Sequence, residues 1–161
     1  MTAEQLAAQL NSGSDEDRRA AAQLLAGMGE DATLAAAALA HNAADPAVGE
    51  WCVAALEELG PPPADQADRL GELLKNRAEQ TAYWAATLLG RLGPVAAGHA
   101  TGLAAAATDH GSLAVRERAV WAIGKIGPDA KAVAPAIAPL VEAGEPRLAR
   151  WAKQALAALG E

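Results

Sequence analysis

Few side chains in this chain of 161 residues could do covalent or metal chemistry, and their spacing works against most of it. The histidines are His41, His99 and His110. His99 and His110 are eleven residues apart, three helical turns, too far to share one metal ion. The lone Cys52 excludes an intramolecular disulfide and a thiolate zinc cluster. It stands where sister segments carry alanine, so a packed, inert thiol is expected. Glu57-Glu58 pairs carboxylates in sequence only, because adjacent helical residues do not face each other. Gly90-Arg91-Leu92-Gly93 and Gly124-Lys125-Ile126-Gly127 have the glycines of a phosphate loop but close helices, where a phosphate cradle should open one. No catalytic residue, metal site or cofactor is expected, and the chain reads as a non-enzyme.

Recognition chemistry is left. Trp51, Trp84 and Trp151 recur at one place of a repeated segment, and Arg118 takes that place in a fourth copy. This place lies roughly 90° from the apolar centre of its helix, at the edge of the core. Trp121, Arg91 and Lys125 lie further round, toward solvent. The stripe has two readings. The indoles fill space between alanine-rich repeats, or they line a groove, since Trp and Arg are frequent interface anchors. A half-buried Trp can do both. The expected row is Trp51, Trp84, Arg118 and Trp151, with Arg118 stacked between Trp84 and Trp151.

The segments that position these residues are 17–29, 48–60, 81–93, 115–127 and 148–160. They align without gaps on the closing glycines Gly29, Gly60, Gly93, Gly127 and Gly160. The fifth place is small in every copy (Ala21, Cys52, Ala85, Ala119, Ala152), and the ninth is Leu25, Leu56, Leu89, Ile123 or Leu156. The twelfth is Met28, Leu59, Leu92, Ile126 or Leu159. Places five, nine and twelve share one helical face, so each segment is an amphipathic helix ending in a left-handed glycine. A second helix precedes each, with Leu39, Leu70, Leu103 and Ile137 in register ten residues past the previous glycine. Starts are expected at Thr2, Asp31, Pro62, Pro94 and Asp129. Thr2 with Gln5 and Ser14 with Asp17 read as caps, and Pro46 and Pro146 suit first helical turns. This predicts ten helices in five pairs, with repeats at about 2–29, 31–60, 62–93, 94–127 and 129–160 making one domain over 1–161.

Composition agrees. By count 45 residues are alanine, Phe is absent and β-branched residues are scarce, so the chain reads as all-α. No apolar run is long enough for a membrane span and no secretory signal opens the chain, so a cytoplasmic protein is expected. The net charge of −7 argues against nucleic acid as partner. Residues 1–80 carry 5 basic and 14 acidic side chains, residues 81–161 carry 8 and 6, so the C-terminal half is mildly cationic.

Val115-Arg116-Glu117-Arg118-Ala119 through Ala122-Ile123-Gly124-Lys125-Ile126-Gly127 resembles the HEAT-repeat family, in its short bacterial form seen also in phycobilisome-lyase-type repeats. The likeness extends over all five segments. Pro135 sits where that family often has a kinking proline. The resemblance implies a right-handed α-solenoid whose second helices line the concave side. The His-Glu pairs of iron-binding HEAT hydroxylases are missing. The groove would carry Trp51, Trp84, Arg91, Arg118, Trp121, Lys125 and Trp151, and the expected function is a non-catalytic, monomeric scaffold for another protein or an acidic peptide. The alternative is a lyase-type accessory protein holding a flat anionic ligand such as a tetrapyrrole.

Overall fold

Thr2 and Ser14 start the first two helices as their capping signals predict. In the computed structural model, which describes all 161 residues, the Thr2 hydroxyl accepts from the Gln5 amide and the Thr2 amide donates to Gln5 Oε1 at 2.8 Å. Ser14 and Asp17 repeat the arrangement. Both caps satisfy amides that a helix start leaves open.

Ten α-helices follow and no strand: α1 (Ala3–Ser12), α2 (Asp15–Ala26), α3 (Ala36–Asn42), α4 (Gly49–Glu58), α5 (Ala67–Leu73), α6 (Glu79–Leu92), α7 (Ala100–Asp109), α8 (Leu113–Ile126), α9 (Ala134–Ile137) and α10 (Pro146–Leu159). They form five antiparallel pairs that stack in chain order as an all-α solenoid. Among the second helices, α2 packs on α4, α6 on α8 and α8 on α10, while α6 meets repeat two through its first helix, α3. No helix is long and apolar enough to cross a membrane.

The helical register follows the repeat. Ala21, Cys52, Ala85, Ala119 and Ala152 are fully buried, as are Leu56, Leu89, Ile123, Leu39, Leu70, Leu103 and Ile137. One apolar cluster runs from Ala3 to Leu159. Small residues let neighbouring helices close up: a Cβ on Gly124 of α8 would stand 3.4 Å from the Ala155 Cα of α10.

The first helices of the pairs differ from expectation. Those of repeats two to five begin with 3₁₀ stretches, at Gly29–Ala35, Ala64–Gln66, Gly93–His99 and Gly127–Val133. None of α3, α5, α7 or α9 has a side-chain cap, so 3₁₀ bonds carry their opening amides. At one junction Gln66 intervenes, donating to Leu34 O at 2.7 Å and accepting from Ala37 N at 2.8 Å. In repeat five, Pro139 has no N–H for the Pro135 carbonyl, so α9 ends at Ile137 and passes into a 3₁₀ stretch, Ala138–Glu142.

The closing glycines differ too. Gly29, Gly93, Gly127 and Gly160 have positive φ, and Gly160 closes α10 as a left-handed cap. Gly93 and Gly127 have ψ of −139° and −147°, because the following proline disfavours a helical ψ. Gly60 has no positive φ: Leu59 is already extended and the chain runs straight into Pro61-Pro62-Pro63. Pro46 lies in the turn before α4, not in its first turn. The Asp45 carboxylate holds that turn by accepting from Ala47 N at 2.8 Å. Pro146 does open α10.

Candidate functional site

The site is built on α6, α8 and α10. Arg118, Trp121 and Lys125 succeed one another at intervals of three and four along α8, so they share one face. Trp121 is seated by a glycine. A Cβ on Gly90 of α6 would lie 2.3 Å from Trp121 Cζ3, so the indole occupies space that any other residue would fill. The Arg118 guanidinium lies between two rings, 4.7 Å from the Trp121 centroid and 4.8 Å from that of Tyr83, and donates to the Tyr83 hydroxyl. Lys125 places its ammonium 5.8 Å from the Trp121 ring.

Trp151 of α10 completes the face. Trp121 and Trp151 are the common wall of two adjoining cavities. One, of about 310 Å³, lies between α8 and α10 over Val120, Gly124, Gln154 and Ala155, with Lys125 at its edge. The other, of about 210 Å³, is lined by Tyr83, Glu117, Arg118 and Arg147. Glu117 is nearly buried and faces Arg147 at 3.4 Å.

Other expected groove residues are placed differently. Trp84 is drawn into the core, 7% exposed, and its indole N–H has no acceptor. Tyr83, one place earlier, turns toward α8 instead, with its ring 5.6 Å from Trp84 in edge-to-face contact. Arg118 therefore stacks on Tyr83 and Trp121, not between Trp84 and Trp151. Arg91 lies over Trp84 at 5.6 Å and donates to Leu56 O at 2.8 Å and Leu59 O at 2.7 Å. Its work is to close the C-terminus of α4. Burial, and then repulsion from Arg118, lower its pKa from the usual arginine value. Trp51 is half-buried on α4 and joins none of these ring contacts.

No family model and no curated protein matches the sequence. Solved structures do. An engineered protein from a structural-genomics consortium superposes with a TM-score of 0.67 at 18% identity, covering 98% of this chain and 78% of that one. A second engineered protein gives 0.67 at 18% over 99% of this chain and 48% of its own. A designed armadillo repeat protein, solved in complex with the peptide (KR)4, gives 0.62 at 19%, covering 94% and 79%. The chain has the fold of a helical-repeat solenoid.

Within that solenoid the remaining polar residues tie paired helices, and some neighbouring repeats, together. Arg18 and Arg116, both at the second place, donate through Nε to Leu10 O at 3.0 Å and Ala107 O at 2.9 Å, near the ends of α1 and α7. Arg18 also pairs with Asp45 in the next repeat and donates to Asn42. That guanidinium, then the Ala47 amide, holds the Asp45 carboxyl below the ordinary carboxylate range. His110 accepts from Ser112 N at Nδ1 and its Nε2 meets Asn76 O at 2.9 Å, so both ring nitrogens are engaged. His99 pairs with Asp68 at 3.0 Å. Cys52 is fully enclosed, and burial pushes its thiol up to about 12. No group of three His, Cys, Asp or Glu side chains comes together to hold a metal ion. Sequence reading missed Tyr83, Arg147 and Glu117. The signal for Tyr83 was its standing as the single tyrosine, immediately before an indole of the stripe.

Proposed function

We propose that this chain is a non-catalytic scaffold that holds a segment of another protein against the α6–α8–α10 face. The observation that carries the reading is the shared wall of Trp121 and Trp151, open to solvent on both sides and flanked by Arg118 and Lys125. Aromatic and arginine side chains held rigidly at an open surface lose little entropy on binding and serve well as anchors. The designed armadillo repeat protein, with its peptide, supports a repeat solenoid as a frame for peptide capture. The charge here points to the opposite partner: the residues around the indoles are cationic, so an acidic segment is the better match. With two helices in each repeat of 31 to 34 residues, we group the chain with HEAT-like solenoids.

Two cavities of about 310 and 210 Å³ lie at or below the small end of small-molecule sites, which favours a peptide side chain over a tetrapyrrole. The test is the double substitution R118A/W121A. Species cross-linked to the wild-type chain in its source cell should be lost with the variant while the melting temperature stays within a few degrees. Retained cross-linking together with a large fall in melting temperature would make the stripe packing only.

A further inference from the structure

Arg118 is held unlike any other cation in the molecule. Its Cζ lies over two aromatic rings, and the Tyr83 oxygen accepts a hydrogen bond from its Nη2. Arg18, Lys75 and Arg147 all have carboxylate partners, whereas Arg118 enters no ion pair. The acid nearest to it in the cavity, Glu117, is already faced by Arg147. A guanidinium held by two rings and one hydrogen bond, with its other donors unused, is pre-organised for a carboxylate, whose two oxygens match its fork. The Tyr83 hydroxyl accepts from Arg118 and keeps its own proton to donate. Beside this polar pocket, across Trp121 and Trp151, lies the second cavity, floored by Val120, Gly124 and Ala155.

Building on the scaffold reading, we propose that Tyr83, Arg118 and Trp121 form a carboxylate-reading clamp, and that the occupant of the face is an extended segment of a partner protein in which an acidic residue neighbours a large aliphatic one. The carboxylate enters the Arg118 cavity and the aliphatic side chain the α8–α10 cavity. Arg118 supplies specificity, Tyr83 positions it, and Lys125 contributes attraction without a fixed geometry. The clamp spans two repeats, since Tyr83 comes from α6 and Arg118 from α8.

The test is a tryptophan-fluorescence titration of the whole chain with three eight-residue peptides, alternating Glu-Leu, Gln-Leu and Lys-Leu. The Glu-Leu peptide should bind about tenfold or more tightly than the Gln-Leu peptide, because a neutral amide forfeits the charge-assisted pair. R118K keeps the charge but loses the fork, and should cut that ratio to about twofold with an unchanged melting temperature. Y83F should lower the ratio partway. Equal affinity for the Glu and Gln peptides, tightest binding of Lys-Leu, or full discrimination by R118K would each overturn the clamp. If Glu-Leu and Gln-Leu bind equally and R118A/W121A abolishes both, the groove stands and the clamp falls. If no peptide binds, the clamp falls and the groove is decided by the cross-linking of R118A/W121A.

Discussion

Arginines in this chain do three different jobs, and only the setting of each side chain tells them apart. Arg118 is displayed between rings, Arg91 is spent on carbonyls, and Arg18 bridges two repeats. Replacing Arg91 by Met should orphan the Leu59 carbonyl, leave Leu56 O with only its bond from Leu59 N, and cost about 1–3 kcal/mol in urea unfolding. Amide exchange should quicken in the last turn of α4 and little elsewhere. Asp45 gives a pH signature. Its carboxyl is held low in the folded chain, so its contribution is complete above the unfolded value of about 4 and fades as pH falls through the lower folded value. D45N should therefore be less stable than wild type by about 1 kcal/mol at neutral pH, the pair being partly exposed. The gap should shrink by pH 3; a constant gap between pH 7 and pH 3 would show that the pair is not its source. Sequence reading placed Trp121, Lys125 and Trp151 on the α8–α10 face but could not separate Arg91 from Arg118. Periodicity puts Arg118 at the edge of the core and Arg91 further round toward solvent, and says nothing of what either would bond. What distinguishes them is the end of α4, which stops one residue short of its counterparts α6, α8 and α10 and presents the Leu56 and Leu59 carbonyls to Arg91.

At the scale of helices, close approach is set by what the small residues admit. Gly90 and Gly102 have opposite roles that a sequence does not reveal. G90A would drive a methyl into the Trp121 ring, and should cost about 1–3 kcal/mol while shifting tryptophan emission. G102A, on an exposed position of α7, would bring its Cβ to an ordinary 3.6 Å from Leu74 Cδ1 and should stabilise by about 0.5–1 kcal/mol. Thermal melts of both variants check the pair, and equal shifts would mean that the seat of Trp121 is softer than its contacts indicate. The second helices were legible because places five, nine and twelve carry apolar residues in every copy. The first helices were legible only at their centres. Their openings depend on caps that are missing and on the external bonds of Gln66, which no local pattern encodes. Gly60 misled for a related reason, since three prolines follow it and it lacks the positive φ that its four counterparts share.

Across the whole molecule, stability should pass from neighbour to neighbour, because each pair packs chiefly on the adjacent ones. Leu89, fully buried in the middle repeat, is the sharpest probe. L89A should cost about 2–5 kcal/mol and loosen amide protection most in repeats two to four. L159A, at the end, should cost about as much locally yet leave α1 and α2 protected. Uniform loss of protection from either variant would refute this nearest-neighbour picture. Legibility was greatest at this scale: five glycines at near-constant intervals announce the array, whereas the face that recognises a partner rests on one ring turned inward and another turned outward. The interval has a further consequence. Gly90 meets Trp121 and Gly124 meets Ala155, so at the last two junctions the tenth place of one copy receives the seventh or eighth of the next. A gene that encodes such a seam can gain or lose one copy by unequal exchange, and the new junction inherits a seam already able to close. Array length and partner specificity can then be inherited as separate traits.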